Sequence, residues 1–127
     1  MSFDWHDYLL HAQDCMTFAN SYASREASLR SSISRAYYSV FCRARNLVRE
    51  RGVTISEKDP VHRVVRQYFE ARSSQDEKEL AKTLNRLRRQ RNMADYEDVF
   101  NGNLHEAARK VLLEASEAHT TLSKLGA

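Results

Sequence analysis

The chain has 127 residues, of which 42% are hydrophobic and 29% charged, and its formal net charge is +3. This length predicts one domain, residues 1–127, with its own hydrophobic core. No apolar run is long enough to span a membrane, and the N-terminus lacks the pattern of a secretory signal, so we expect a cytoplasmic protein with no membrane contact.

Apolar residues recur at helical spacing along the whole chain, and no strand pattern competes with them. Five helices are predicted: from about Phe3 to Tyr22; from Ser24 or Arg25 to Arg51, ended by Gly52; from the cap Asp59-Pro60 to about Ala71; from the capping box Ser74–Glu77 to between Arg91 and Tyr96; and from the cap Asn103 onward. The predicted fold is therefore all-α, an antiparallel bundle of four to five helices with the long second helix at its centre.

The second helix has the widest apolar face of the chain. It carries Tyr37, Tyr38 and Phe41 in addition to its aliphatic stripe. We favour the interpretation that this face also forms the interface of a two-fold homodimer. The alternative is that the three aromatic rings only fill the core of the single chain.

One charged residue interrupts the apolar stripe of the fourth helix. The stripe is Leu80, Leu84, Leu87, Arg91 and Ala94, and its steps of four, three, four and three residues keep one helical face. Because burying an unpaired guanidinium costs several kcal/mol, Arg91 needs a partner, a cleft or a ligand. Arg91 is therefore the first candidate functional residue.

Arginine makes up fifteen of the twenty basic residues, and it clusters in two segments. Its planar fork binds phosphate or carboxylate through two hydrogen bonds. The fourth helix has no acid between Glu79 and Asp95, and it supplies the candidate nucleic-acid-binding residues Lys82, Arg86, Arg88 and Arg89. The end of the second helix supplies Arg43, Arg45, Arg49 and Arg51, where the helix dipole also favours cations. A solvated surface with many ion pairs is the alternative for both clusters.

Two segments resemble the HEPN domain family. Ser34-Arg35-Ala36-Tyr37-Tyr38-Ser39-Val40-Phe41 is similar to the tyrosine-rich second helix of that family, and Arg91-Asn92-Met93-Ala94-Asp95-Tyr96 is similar to its functional motif. That motif is an arginine, commonly a polar residue after it, and a histidine after four to six intervening positions. Arg91 and Asn92 match, but Tyr96, Glu97 and Asp98 stand where the histidine is expected. The Ala-Asp-Tyr ending resembles one branch of the family.

The resemblance implies a helical bundle that dimerises and places two copies of the motif along a shared groove. Many family members are metal-independent endoribonucleases that act as toxins or antiviral effectors, and many small ones pair with a minimal nucleotidyltransferase that neutralises them. Others lack catalysis and bind RNA or nucleotides, or serve as adaptors. For this chain the resemblance therefore predicts RNA as ligand, a homodimer, and a nucleotidyltransferase antitoxin as partner.

RNA cleavage without a metal uses the 2′-hydroxyl as nucleophile and needs a base, an acid and a cation. The four candidate catalytic residues are Arg91 as the cation, Asn92 to orient a phosphate oxygen, and Asp95 and Tyr96 as proton carriers. The structural alternatives are an ordinary i,i+4 ion pair between Arg91 and Asp95 and a packed ring for Tyr96. Whether Tyr96 is covalently modified stays open, because the tyrosine modified in some relatives lies beyond the motif histidine.

Three hypotheses remain for the function. The chain is a ribonuclease of the HEPN type, or a non-catalytic HEPN module that binds RNA, a nucleotide or a nucleotidyltransferase through the same groove, or a structural bundle in which Arg91 contacts Asp95 and nothing else. No metal site and no cofactor are predicted. The five histidines (His6, His11, His62, His105 and His119) lack metal-ligand spacing and are expected to stand apart, and the two cysteines (Cys15 and Cys42) are interpreted as reduced core residues.

Overall fold

A computed structural model describes residues 2–127. These residues form five α-helices and one 3₁₀ turn, and no strand occurs among them. The helices are α1 (His6–Thr17), α2 (Arg25–Glu50), α3 (Val61–Glu70), α4 (Gln75–Tyr96) and α5 (Leu104–Lys124), and the 3₁₀ turn is Ala19–Ser21. The all-α prediction is confirmed.

The long helix α2 is the centre of the fold, as predicted, and packs against each of the other four helices. Its whole apolar stripe is buried: Leu29, Ile33, Tyr37, Val40, Ala44 and Leu47. Tyr37 and Phe41 fill the core of the single chain, whereas Tyr38 stays partly exposed. Of the three aromatic residues considered for a dimer interface, Tyr38 is therefore the one that reaches the surface.

Side-chain contacts fix the relative directions of the helices. Arg30, near the start of α2, reaches the end of α4, and Arg51, just after α2, reaches Glu77 at the start of α4, so these two helices are antiparallel. Arg43 bonds to His119 and Arg51 to the carbonyl of Leu125, so α2 and α5 are parallel. Contacts such as Arg86–Glu114 make α4 and α5 antiparallel as well, so the predicted antiparallel bundle is confirmed. Two reversals separate α2 from α5, one across the connection that contains α3 and one in the α4–α5 loop, and these two helices therefore run in the same direction.

Two predicted helix boundaries differ from the structure. The first helix ends at Thr17 rather than Tyr22, because Phe18 leaves the helical conformation and the 3₁₀ turn begins the chain reversal that leads to α2. Asp59 does not cap α3. Its carboxylate accepts a hydrogen bond from the N–H of Ser56 (2.8 Å), and Pro60 occupies the N-cap position instead.

The start of α4 is capped in a different way from the prediction. The Ser74 hydroxyl accepts a hydrogen bond from the N–H of Glu77 (3.4 Å), which is one half of a capping box. The other half is missing, because the buried carboxylate of Glu77 binds Arg51 (2.7 Å) and Arg72 (3.3 Å). This ion-pair network ties the end of α2 to the start of α4.

Arg43 of α2 closes the C-terminal end of α5. Its guanidinium donates to the carbonyl of His119 (3.1 Å), the hydroxyl of Ser123 (2.9 Å) and the carbonyl of Ala127 (2.8 Å). These contacts tie the last turns of α5 and the residue Ala127 beyond it to α2. Together with Arg51, Arg43 gives the arginine cluster at the end of α2 a structural role.

His119, expected to stand apart, is 4% exposed and belongs to a polar network between α2, α5 and α1. Nδ1 lies 3.0 Å from Arg43, which can only donate, so Nε2 carries the proton and donates to the hydroxyl of Ser39 (3.0 Å). The ring of His6 lies edge-on with its centroid 5.0 Å away. Burial first, then Arg43 and His6, lower the pKa of His119 to about 4, so the ring is neutral at pH 7.

Candidate functional site

The side chain of Arg91 lies in the last turns of α4 and is 13% exposed. Nη1 donates to the side-chain oxygen of Asn92 (3.0 Å), and Nη2 donates to the hydroxyl of Tyr96 (3.0 Å). Nε lies 2.9 Å from Oδ2 of Asp95. The structure therefore brings all four candidate catalytic residues together around one guanidinium.

Two tyrosine rings flank this guanidinium. The central carbon of Arg91 lies 5.0 Å from the ring centroid of Tyr38 on α2 and 5.0 Å from that of Tyr96. Burial alone would lower the pKa of Arg91, but Tyr38, Tyr96 and Asp95 outweigh it and raise the pKa above its ordinary value. Arg91 is a permanent cation held in an aromatic clamp.

The ion pair between Arg91 and Asp95 lacks an aligned hydrogen bond. Nε of Arg91 is shielded from solvent and has no hydrogen-bond partner among residues 2–127, although it lies close to the carboxylate. The carboxylate accepts its hydrogen bond from Ser34 of α2 instead (3.0 Å). One donor of the guanidinium fork is therefore shielded but not satisfied.

Helix α2 holds the end of α4 in place. Arg30 donates to the backbone carbonyls of Ala94 (3.0 Å), Glu97 (2.6 Å) and Asp98 (3.2 Å), and so completes the last turn of α4.

Arg30, Ser34 and Tyr38 share one face of α2 at four-residue spacing, and all three contact the Arg91 segment. The sequence predicted a role for Tyr38 only at a dimer interface, quoted Ser34 within a motif without a role, and did not single out Arg30. Their i,i+4 register on the central helix was the signal that could have found them.

These contacts decide one of the three hypotheses. The structural-bundle hypothesis requires that Arg91 contact Asp95 alone. Arg91 also contacts Asn92, Tyr96 and Tyr38, so that hypothesis is wrong in its specific expectation. The i,i+4 ion pair with Asp95 is present, but it is one contact among four.

Arg88 lies on the same side of α4 as Arg91, three residues before it. It lines a small cavity with Tyr37, Phe41 and His62. Nδ1 of His62 is hydrogen-bonded to the hydroxyl of Tyr37, and its ring stacks on Phe41 with centroids 4.2 Å apart. Sequence spacing could not show this, because His62 arrives from α3.

The environment of His62 holds its ring in the neutral form. Burial, and then the charges of Arg88 and Arg91, lower its pKa to about 4, so the ring is neutral at pH 7. Burial also raises the pKa of its partner Tyr37 above the ordinary range. Both groups are therefore held in their neutral forms by the core around them.

The other predicted nucleic-acid-binding residues lie on the opposite side of α4, as the helical repeat requires. Lys82 pairs with Glu79 (3.4 Å) on its own helix, and Arg86 pairs with Glu114 of α5 (3.2 Å). Arg89 lines a cleft between α4 and α5. The basic run of the sequence thus divides between two faces.

Two further features concern residues 2–127 as a whole. No group of three or more His, Cys, Asp or Glu side chains in this range could hold a metal ion. None of the helices there combines the length and apolar character that a membrane crossing requires.

Comparison with curated proteins and with solved structures returned no match. Comparison with protein families did: the family described as the HEPN domain matches residues 5–125, nearly the whole chain. The matched range includes all five helices, the Arg30–Ser34–Tyr38 face and the Arg91 segment. The chain belongs to the HEPN domain family.

Proposed function

We propose that this protein binds RNA in the cytoplasm and that Arg91 binds a backbone phosphate of that RNA. The observation that carries the proposal is the aromatic clamp: a permanent guanidinium lies between Tyr38 and Tyr96, with one of its donors unsatisfied. A phosphate oxygen that displaces Asp95 would satisfy that donor and keep the charge neutralised.

The surroundings of Arg91 also suit a nucleotide. Tyr96 is 69% exposed, and its ring offers a face on which an unpaired base can stack. Arg88 adds a second cation on the same side of α4. The carboxylate of Asp95 also accepts a hydrogen bond from Ser34 (3.0 Å), so it keeps one partner when a ligand takes its place at Arg91.

Endoribonuclease activity is the second candidate, and the position of Tyr96 favours it. Its hydroxyl lies 3.0 Å from the guanidinium that would hold the phosphate. In that reaction the 2′-oxygen bonds to phosphorus, its proton passes to Asp95, and the bond to the 5′-oxygen breaks as Tyr96 gives it a proton. The products are a 2′,3′-cyclic phosphate and a 5′-hydroxyl. Asp95 then returns the proton to Tyr96 through water.

The proposal includes a homodimer and a protein partner. Tyr96, which belongs to the Arg91 site, and Val99, three residues further along the chain, are large apolar side chains that are 69% and 82% exposed. A second copy packed there would place two Arg91 side chains along one groove. Many small relatives pair with a nucleotidyltransferase, and a toxin neutralised in this way is the biological role that we infer.

The test is RNA binding and cleavage by purified protein in the presence of a chelator. Arg91→Ala removes the clamped cation and should weaken binding of a structured RNA at least about tenfold. Arg63→Ala is the matched control, because Arg63 is an exposed arginine of α3 and its loss changes the net charge equally. Equal RNA affinity of the two variants would overturn the proposal.

The variant Tyr96→Phe distinguishes endoribonuclease activity from RNA binding alone. It removes the proton that the leaving oxygen needs but keeps the ring, so cleavage should stop while binding persists. Chelator-resistant cleavage that survives in Tyr96→Phe would exclude the proton-donor role. Binding without cleavage in the wild-type protein would leave the RNA-binding module as the function. Sedimentation at several concentrations tests the dimer, and a strict monomer would remove the shared groove.

A further inference from the structure

Exposed apolar side chains are concentrated in and around α1. Among residues 2–127, seven large hydrophobic side chains are exposed, and four of these lie between residues 3 and 22: Phe3, Leu10, Phe18 and Tyr22. Leu10 is 48% exposed in the middle of α1, whereas Leu9 and Ala12 on the other face of that helix are buried. Because a patch of exposed apolar side chains marks an interaction site, the outer face of α1 is a candidate interface.

Two arginines of α2 border this surface, and each lies over an aromatic ring. The central guanidinium carbon of Arg35 is 5.2 Å from the ring centroid of Tyr8. That of Arg45 is 5.8 Å from the ring centroid of Trp5. The rings of Trp5 and Tyr8 pack edge-to-face with their centroids 5.0 Å apart, and Phe3 contacts both rings. The two cations are therefore held at opposite ends of a row of rings before any partner binds.

Two acids lie on the outer face of α1. Asp7 and Asp14 are seven residues, or about two turns, apart, so they share one face of the helix, and both are exposed. Within the range that the structure describes, neither carboxylate has an ion-pair partner, and neither Arg35 nor Arg45 has one. The surface therefore combines exposed apolar side chains with two anions and two cations that are not paired within the chain.

The mixture of charges distinguishes between the partners that this surface could bind. The two carboxylates would repel a nucleic acid, and the rings of Tyr8 and Trp5, on which its bases could stack, are each covered by a guanidinium. A strongly acidic or strongly basic protein would match only half of the charges. A second copy of the chain matches all of them, because a two-fold axis brings the anions of each copy to the cations of the other.

We propose that α1 packs antiparallel on α1 of a second copy, with Asp14 of each copy bound to Arg35 of the other. The guanidinium of Arg35 donates to the hydroxyl of Tyr8 (3.4 Å), and Arg35 lines a surface cleft with His11, so it lies beside the middle of α1. With the two-fold axis at Leu10, antiparallel packing places Asp14 of the second copy beside Tyr8, within reach of that guanidinium.

The same arrangement covers the exposed apolar side chains. Phe18 of one copy lies across from Phe3 of the other, and the two Leu10 side chains meet near the axis. Because α1 has twelve residues and is only about 18 Å long, the interface is small, and we expect micromolar affinity.

The test is an exchange of charges between copies, measured by sedimentation velocity from about 1 to 200 μM protein. Asp14→Arg and Arg35→Glu each place like charges opposite one another, so each variant alone should associate at least about tenfold more weakly than the wild-type protein. An equal mixture of the two variants should regain wild-type association, because the exchanged charges attract each other in both contacts. Only a reciprocal contact between copies gives this recovery.

Leu10→Ser tests the apolar part of the interface and should weaken association about fivefold. Leu113→Ser is the matched control, because Leu113 is similarly exposed (56%) but lies on α5, and its loss should leave association unchanged. Circular dichroism verifies that each variant is folded. A wild-type protein that remains monomeric at about 200 μM, a charge mixture that does not recover, or equal effects of the two serine variants would each overturn the inference.

This interface uses other residues than the pairing at Tyr96 and Val99 in the proposed function, and it does not depend on that proposal. Val99→Asp should disrupt the pairing there and leave the association through α1. If Val99→Asp abolishes association and Asp14→Arg does not change it, this inference falls and the proposed dimer stands.

RNA binding gives the second comparison with the proposed function. If the wild-type protein does not bind RNA but the charge mixture recovers association, the proposed function falls and this inference stands. If Arg35→Glu weakens RNA binding as strongly as Arg91→Ala and leaves association unchanged, this face of the molecule binds RNA and the inference is overturned.

Discussion

Three arginines in or just after α2 contact neighbouring helices, and they differ from Arg91 of α4 in the groups that they bind. Arg30, Arg43 and Arg51 each donate to backbone carbonyls at the end of another helix. Arg91 contacts only side chains, three from its own turn and the ring of Tyr38. The same residue type, clustered to a similar degree in the sequence, thus occurs in two kinds of environment.

The two environments differ in whether the group bound to the arginine can be displaced by a ligand. A carbonyl at a helix end is fixed by the helix, and losing its arginine leaves it without a hydrogen bond. A side-chain carboxylate such as that of Asp95 can rotate toward water and give its place to a phosphate. We therefore expect the arginines of α2 to determine stability and Arg91 to determine binding.

Among the structural contacts, we expect the loss of Glu77 to have the largest effect on the free energy of unfolding. Glu77→Ala removes the buried carboxylate that binds both Arg51 and half-exposed Arg72, and should lower the free energy of unfolding by about 3 kcal/mol. Urea denaturation followed by circular dichroism measures this loss. Glu79→Ala is the control, since Glu79 makes only exposed contacts, with Lys82 and Gln75, and its loss should cost less than about 0.5 kcal/mol. Similar losses in the two variants would contradict a structural role for the Arg51 network.

We expect the loss of Arg43 to have the next largest effect on stability. Arg43→Met keeps the aliphatic stem but removes the hydrogen bonds that close α5, and should cost about 2 kcal/mol. Arg49→Met on the last turn of α2 is the matched control, because Arg49 is exposed. Amide hydrogen exchange should show faster opening of the end of α5 in Arg43→Met alone. Uniform protection in both variants would show that α5 does not need this cap.

The sequence predicts more of the fold than of the site for a physical reason. Helical periodicity is local, so the five helices and the buried stripe of α2 follow from spacing alone. The position of α3 inside the connection between α2 and α4, which makes those two helices antiparallel, depends on tertiary packing that no local pattern records. The site combines both cases: the grouping of Arg91 with Asp95 follows from the i,i+4 rule, whereas its contact with Tyr38 and the support from Arg30 depend on the packing of α2 against α4.

The pH dependence of stability tests the structural role of Arg43 through its contact with His119. The unfolded chain binds a proton on histidine below a pH of about 6.5, whereas burial, Arg43 and His6 hold the pKa of folded His119 at about 4 against the smaller opposing effect of Asp4. Between these values the unfolded chain binds more protons, so stability falls as the pH drops, by about 2 kcal/mol at pH 5.

Urea midpoints at pH 7.5, 6 and 5 measure this slope. Arg43→Met should make it shallower, because one of the groups that lowers the pKa of His119 is gone. His62, whose pKa is also about 4, adds to the slope in the same window, and Arg91→Met should act on that part instead. A slope that neither variant changes would mean that the two arginines do not control these histidines.

Arg91→Met gives the smallest expected change in stability and is the sharpest test of the comparison. Methionine fills the space between Tyr38 and Tyr96 with an adaptable apolar side chain, and an ion pair replaced in this way often leaves stability unchanged within about 1 kcal/mol. RNA affinity should nevertheless fall at least about tenfold, since the only clamped cation is lost from that face. Paired measurements of urea denaturation and RNA binding on Arg91→Met and Arg43→Met should therefore show opposite losses. A large loss of stability in Arg91→Met with RNA binding retained would place Arg91 among the structural arginines, because its ion pair would then hold the end of α4 in the way that Arg43 holds the end of α5.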